Sequence, residues 1–235
     1  RQMCIRDRNR KSSKKYFFSV EGETEEWYLL WLRDLINSTD HAAYKVSIDC
    51  KIEKDPLKRA KGLVNTSKTE IYHFFDYESD EDVHVKRFTD TMDRMKQAMS
   101  IGKQIKYKFG YSNFAFDLWI VLHKIDCNGA LPHRRGYLAY INRAFGKNFE
   151  SMDEYKREDN FKGCLNQLTL EDVIRAIERS ERIMVRNAEN GYILHNYKGF
   201  KYYKENPSLA VWEAIKKIMQ DCKSVSYTHL RAHET

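Results

Sequence analysis

Proline and glycine are scarce in this chain of 235 residues, at 3 and 10, which excludes collagen-like and low-complexity architectures. Its five cysteines (Cys4, Cys50, Cys127, Cys164, Cys222) stand far apart without a CxxC pair. Neither a disulfide framework nor a zinc ribbon is suggested, and a reducing, cytoplasmic setting is the simplest expectation. Long apolar runs are missing too. The longest, Trp27 to Leu32 and Leu118 to Leu122, fall far short of the roughly 18 residues that cross a bilayer, so no membrane partner is expected. The charged N-terminal stretch is not followed by an apolar run, so no secretory leader is expected. What is present, 42% hydrophobic and 13% aromatic residues, is too apolar for a disordered chain and enough for a substantial core.

Charge is also thin over most of the chain. Of the net +7 (41 Lys and Arg against 34 Asp and Glu), seven cations and Asp7 in the first fifteen residues account for +6, leaving +1 from Tyr16 onward. Two terminal strings, Met3 to Arg8 and Val225 to Thr235, resemble translated sequencing-adapter sequence and are set apart from the fold, with Cys4, His229 and His233 given no role. The expected organisation is a basic arm over 1–15, an α/β catalytic domain over 16–125, a mostly helical extension packed on it over 126–223, and an extraneous tail over 224–235.

Hydrophobic patterning supplies the elements. Tyr16 to Val20 reads as a buried strand and ends at Glu21-Gly22, after which Thr24 is the expected N-cap of a helix carrying Trp27, Leu30, Trp31 and Leu35. Val46, Ile48, Cys50 and Ile52 alternate as a second strand, and Pro56 opens a basic helix to about Ser67. Ile71 to Phe75 is a third strand, stopping at the acidic run from Asp76 to Asp82, and Phe88, Met92, Met95 and Met99 form one helical stripe. Ile105, Tyr107 and Phe109 alternate in a fourth strand; Gly110 to Asn113 reads as a turn into a short buried helix, Phe114 to Leu122. Beyond Lys124 come helices over Arg134 to Phe145, from the Thr169/Asp172 capping pair to about Ala188, and from Asn206-Pro207-Ser208 through Met219. The expected fold is α/β, a mostly parallel sheet of about four strands with helices on both faces and a C-terminal helical region.

Ligands in such sheets bind at the carboxyl ends of the strands, and the acids gather there. Glu21 ends the first strand with Glu25 a turn later, Asp76 and Glu78 end the third, and Asp117 follows the fourth. Converging carboxylates repel one another unless a cation sits among them, and oxygen ligands select hard ions, Mg²⁺ or Mn²⁺. The natural task of such a centre is phosphoryl transfer. Glu23, Glu26, Asp80, Glu81 and Asp82 read instead as solvated turn residues. Ser112 and Asn113 either position phosphate or form a turn, and His123 is either a core residue or a direct participant. Lys106, Lys108 and Arg134-Arg135 either track a nucleic-acid backbone or are solvated faces.

Three segments then carry a resemblance. Val20-Glu21-Gly22-Glu23-Thr24-Glu25-Glu26-Trp27-Tyr28 resembles the first motif of Toprim domains in the form found in RloB-like and OLD-type nucleases, and Asp76-Tyr77-Glu78 resembles their second motif with Glu in place of the last Asp. Tyr111 to His123 is similar to a third RloB-like segment, with Phe114 where Pro is usual and Asp117 where Glu is frequent, and Asn206-Pro207-Ser208 fits the C-terminal pattern. The resemblance implies a Toprim-like fold and a Mg²⁺- or Mn²⁺-dependent nuclease acting on DNA or RNA. It also implies a place in bacterial anti-phage or restriction-linked defence beside an AAA-type ATPase, with homo-oligomers possible. Glu21, Asp76 and Asp117 would be catalytic, Glu21, Glu25, Asp76 and Glu78 would hold the ions, and Ser112, Asn113 and His123 would position groups around them. The rival expectation is a catalytically weak or inactive module of the same fold that binds nucleic acid or a phage component.

Overall fold

The apolar alternation between Tyr16 and Val20 forms the centre of a parallel sheet in a computed structural model that describes residues 12–40, 42–64 and 67–222. Both terminal strings lie outside the described residues. In chain order the elements are β1 (Ser13–Val20), α1 (Glu23–Asn37), β2 (Lys45–Ile52), α2 (Pro56–Gly62), β3 (Thr69–Tyr77), α3 (Asp82–Met99), β4 (Ile105–Asn113) and α4 (Asp117–Leu122). After a 3-10 turn at Arg134–Gly136 follow α5 (Tyr137–Phe145), α6 (Met152–Tyr155), α7 (Glu158–Leu165), α8 (Leu170–Glu189), the short strands β5 (His195–Tyr197), β6 (Phe200–Tyr202) and β7 (Ser208–Leu209), and α9 (Val211–Cys222).

The five-stranded sheet has the order β2-β1-β3-β4-β7, parallel except for β7, and β5 and β6 form a separate antiparallel pair. The α/β expectation holds, with β7 and the β5–β6 hairpin as additions. Strand parity sorts the core onto two faces. Phe18, Val20, Tyr72 and Phe74 pack with Tyr28, Leu29 and α4 on one face, while Ile71, Phe75 and Tyr77 pack with Phe88, Met92 and Met95 of α3 on the other. Helix α4 is sealed in, with Leu118 to Leu122 fully buried, and each such side chain contributes about 1.5–3 kcal/mol. A buried helix end needs partners for its carbonyls. Arg179 supplies them, donating to Leu122 O at 2.7 Å and His123 O at 3.0 Å.

Several boundaries differ from the sequence reading, among them the start of α4 at Asp117 in place of Phe114 and of α5 at Tyr137 in place of Arg134. Helix α1 starts at Glu23 with Gly22 as its cap, so Thr24 lies inside the first turn and its hydroxyl donates to Glu25 Oε2 at 3.0 Å. Gly110 to Asn113 is strand, paired in register with Phe74 to Tyr77; Gly110 marks a close approach, because a Cβ there would stand 2.5 Å from the Phe74 ring. Helix α2 stops at Gly62, well before Ser67. Ser208 and Leu209 pair with Asn113 and Ser112 as a strand, so the last helix opens only at Val211.

Candidate functional site

The ends of β1 and β3 place Glu21 and Asp76 side by side, with Glu21 Oε2 accepting from the Asp76 backbone N–H at 3.4 Å. Asp76 shares strand parity with Phe74, so it leans toward the face that carries α1 and α4. There Glu25, on the first turn of α1, and Asp117, the first residue of α4, are both buried. Gly22 lets the Glu25 carboxylate fold back close to the strand end, since a Cβ on it would sit 3.2 Å from Oε2.

A residue that the sequence reading did not single out completes this side. Lys156, between α6 and α7, reaches in to pair with Asp117 Oδ2 at 3.1 Å. Burial works against its ammonium, but Asp117, Asp76 and Glu25 outweigh that and push its pKa up. Lys156, with the exposed Lys54 near Glu21, does not balance the acids. Burial and the neighbouring Glu25 push Glu21 up to about 7. Burial, Glu25 and Glu21 raise Asp76, and burial raises Glu25 against the opposing pull of Lys156 and Thr24. Such a set takes up protons or a cation at neutral pH.

Glu78 goes the other way. On the opposite face it meets His84 Nε2 at 3.3 Å and Arg87 Nη1 at 3.2 Å, and a small cleft lined by Glu21, Asp76, Glu78 and Arg87 lies between the two groups.

Three buried polar atoms near the acids lack a hydrogen bond: Ser112 Oγ, Asp117 Oδ2, which has only its ion pair, and the Tyr155 hydroxyl. Ser112 is the register partner of Asp76, and the Tyr155 hydroxyl feels the charges of Asp117 and Glu25. Unsatisfied buried polar atoms call for an explanation, and a bound ion with its water is one. Among the described residues, however, no group of three or more His, Cys, Asp or Glu side chains stands together closely enough to hold a metal ion. The fit to a hard cation is one of donor chemistry and of unpaired atoms, with the ligand positions still apart.

Asn113 and His123 are otherwise engaged. Asn113 Nδ2 donates to Lys204 O at 2.6 Å, and its own carbonyl accepts from Tyr137 and Asn206, so it ties β4 to the loop before β7. His123 Nδ1 contacts Trp119 O at 2.8 Å and Nε2 contacts the Tyr28 hydroxyl at 3.1 Å. A carbonyl only accepts, so Nδ1 carries the proton and Tyr28 donates to Nε2. This is a neutral core histidine, its pKa pushed down to about 4 by burial.

Residues 16–218 match the family model described as RloB-like protein. No curated protein and no solved structure matches the chain.

Proposed function

The chain belongs to the RloB-like family, and we propose that it is a metal-dependent phosphodiester hydrolase whose centre is the acid cluster at the ends of β1 and β3. The observation that carries this reading is the charge imbalance there: Glu21, Glu25 and Asp76 all have raised pKa values, although Lys156 acts on Glu25 and Asp76 and the exposed Lys54 acts on Glu21. Excess buried negative charge is costly without function, and strand-end carboxylates of this kind suit a hard divalent ion.

Glu21, Glu25 and Asp76 would hold Mg²⁺ or Mn²⁺, which when bound polarises a phosphate and acidifies water. The chain supplies the rest. Without the ion, burial and Glu25 hold Glu21 up to about 7, so it takes up a proton at neutral pH that a bound cation would displace. Lys156, freed in part from Asp117, would offset charge on a phosphate oxygen, and Ser112 Oγ has a hydrogen to donate there. Asp117 would hold Lys156 in place until substrate arrives.

The substrate class is nucleic acid, DNA or RNA. A place in anti-phage defence, work in the cytoplasm and an AAA-type ATPase partner are parts of the same proposal, resting on the motifs at Glu21–Glu25, Asp76–Glu78 and Tyr111–His123. The test is cleavage of labelled DNA and RNA by the full chain with Mg²⁺ or Mn²⁺, with and without its genomic neighbour. No cleavage under any of these conditions would overturn the reading. One observation favours a second reading, a nucleic-acid-binding module without catalysis: the acids are not gathered as ready ligands, and Glu78 is engaged by His84 and Arg87. That reading expects binding and any defence phenotype to survive Glu21→Gln.

A further inference from the structure

Among the described residues, strand β4 is covered on its outer edge only at its end, where β7 pairs with Ser112 and Asn113 and Ala210 N–H donates to Tyr111 O at 2.8 Å. Below that point the edge from Lys106 to Phe109 opens into a trough of about 500 Å³. One bank is α9, with Glu213 and Lys217; the other is the end of α3, with Lys96, and strand β6, with Phe200 and Lys201. Alternation along β4 sends Lys106 and Lys108 toward the α9 bank and Tyr107 and Phe109 toward the other.

Five lysines thus meet in one trough against one carboxylate, Glu213, on a body whose net charge from Tyr16 onward is only +1. Lysines on an edge strand also guard against edge-to-edge pairing. That accounts for Lys106 and Lys108 but not for Lys96, Lys201 and Lys217, which come from α3, β6 and α9. Lys108 reaches Glu70 only at 3.8 Å and Lys217 reaches Asp221 at 3.4 Å, while Lys96, Lys106 and Lys201 make no ion pair among the described residues. Lys96 instead lies 4.7 Å over the Phe200 ring, which holds its ammonium at the trough wall. Burial pushes the Glu213 carboxyl up, so the one acid there opposes an anion less than its formal charge suggests.

We propose that this trough binds the sugar-phosphate backbone of single-stranded nucleic acid, at a site separate from the acid cluster and independent of sequence. It rests on the nuclease reading for the identity of the polyanion, while its residues touch none of the catalytic ones. Tyr72, at the trough, and Asp76, in the cluster, are four positions apart on β3, about 13 Å at strand rise. One nucleic-acid chain is therefore long enough, at about four nucleotides of 3.4 Å rise, to serve both places. The trough would add affinity without entering the chemistry.

The experiment is fluorescence anisotropy of the full chain with a labelled single strand of about twenty nucleotides, in EDTA so that no cleavage intervenes, over a range of salt. Replacing Lys96, Lys106 and Lys201 together by Gln should weaken binding at least ten-fold. It should also reduce the salt slope by about 2, since each phosphate contact on a single strand contributes about 0.7. Thermal melting checks that the triple variant is folded; a second variant, Lys106→Gln with Lys201→Gln, should show an intermediate loss. Equal affinity and slope for the folded triple variant would overturn the proposal, as would polyglutamate competing as well as the oligonucleotide, which would assign the trough to an acidic protein segment. Lysine-dependent binding in a protein that never cleaves would keep the trough and remove the nuclease; cleavage with lysine-independent binding would do the reverse.

Discussion

Lys156 Nζ stands 3.1 Å from Asp117 Oδ2, and through that pair the helical half of the chain inserts a cation among acids carried by β1, α1, β3 and α4. The lysine side chain is partly exposed while the aspartate is buried, so the pair is anchored from the sheet side. Removing one member of a buried pair leaves the other uncompensated.

Lys156→Met should therefore destabilise the metal-free protein by about 1–3 kcal/mol at pH 8, the figure for a buried pair reduced for the exposed lysine. The sign with pH follows from linkage. Lys156 acts on Asp76 and Glu25, whose folded pKa values are raised by burial, so their contribution is fully present below their unfolded values and is lost as pH rises through the folded ones. Without Lys156 the acids repel more strongly at high pH, so the loss should shrink at pH 5. Urea unfolding at the two pH values measures it, and an equal loss at both would show that Lys156 acts by packing alone.

Metal should relieve the same repulsion. Mg²⁺ or Mn²⁺ at about one hundred times its Kd should stabilise the wild type by about 2.7 kcal/mol, read as a rise in Tm that EDTA reverses. Glu21→Gln with Asp76→Asn should remove that rise and lower cleavage at least 10²-fold, yet melt higher than wild type in EDTA at pH 8 because two repelling charges are gone. A Tm in EDTA below that of the wild type would count against the charge imbalance.

How far the sequence foretold this centre varies residue by residue. Glu21, Glu25, Asp76 and Asp117 were legible because strand ends show in apolar runs that stop abruptly, and such ends meet in a parallel sheet. Lys156 was not. It sits nearly forty positions beyond Asp117 in a helical stretch, and no spacing rule connects a lysine there to a strand end. Gly110 misled for a local reason: glycine marks turns and close approaches alike, and only the Phe74 ring against it decides between them. Ser208 and Leu209 were too short a run to read as a strand, because their pairing partner, the end of β4, was itself read as a turn.

Glu78 offers a sharper test of which acids matter. Its carboxylate is held by His84 and Arg87 on the α3 side of the sheet, so serving an ion shared with Asp76 would require both contacts to be released. Glu78→Gln should thus cost less than ten-fold in cleavage at saturating metal, against 10²-fold or more for Asp76→Asn. Equal losses would place Glu78 among the ligands and imply that the contacts with His84 and Arg87 break when metal binds.

The Tyr28–His123 contact carries a pH dependence of opposite sign to that of the acids. Because Trp119 O fixes the Nδ1 proton and Tyr28 donates to Nε2, protonating His123 forces the Tyr28 hydroxyl to turn from donor to acceptor and places a charge inside a sealed core. Its folded pKa is pushed down by burial to about 4, below the ordinary 6.5 of an imidazole. The unfolded chain therefore takes up a proton as pH falls through 6.5 while the folded chain does not until about 4, and stability drops across that window. The full effect is about 3 kcal/mol, at roughly 1.4 kcal/mol for each unit of difference. His123→Gln should lose about 1–2 kcal/mol at pH 8 from a disrupted hydrogen bond, and then fall less steeply than the wild type between pH 6.5 and 4. Buried His73, its pKa likewise lowered by burial, is present in both proteins, so the difference between the two curves isolates His123. Parallel curves would mean that His123 is already charged in the folded state, which would contradict the neutral ring that burial imposes.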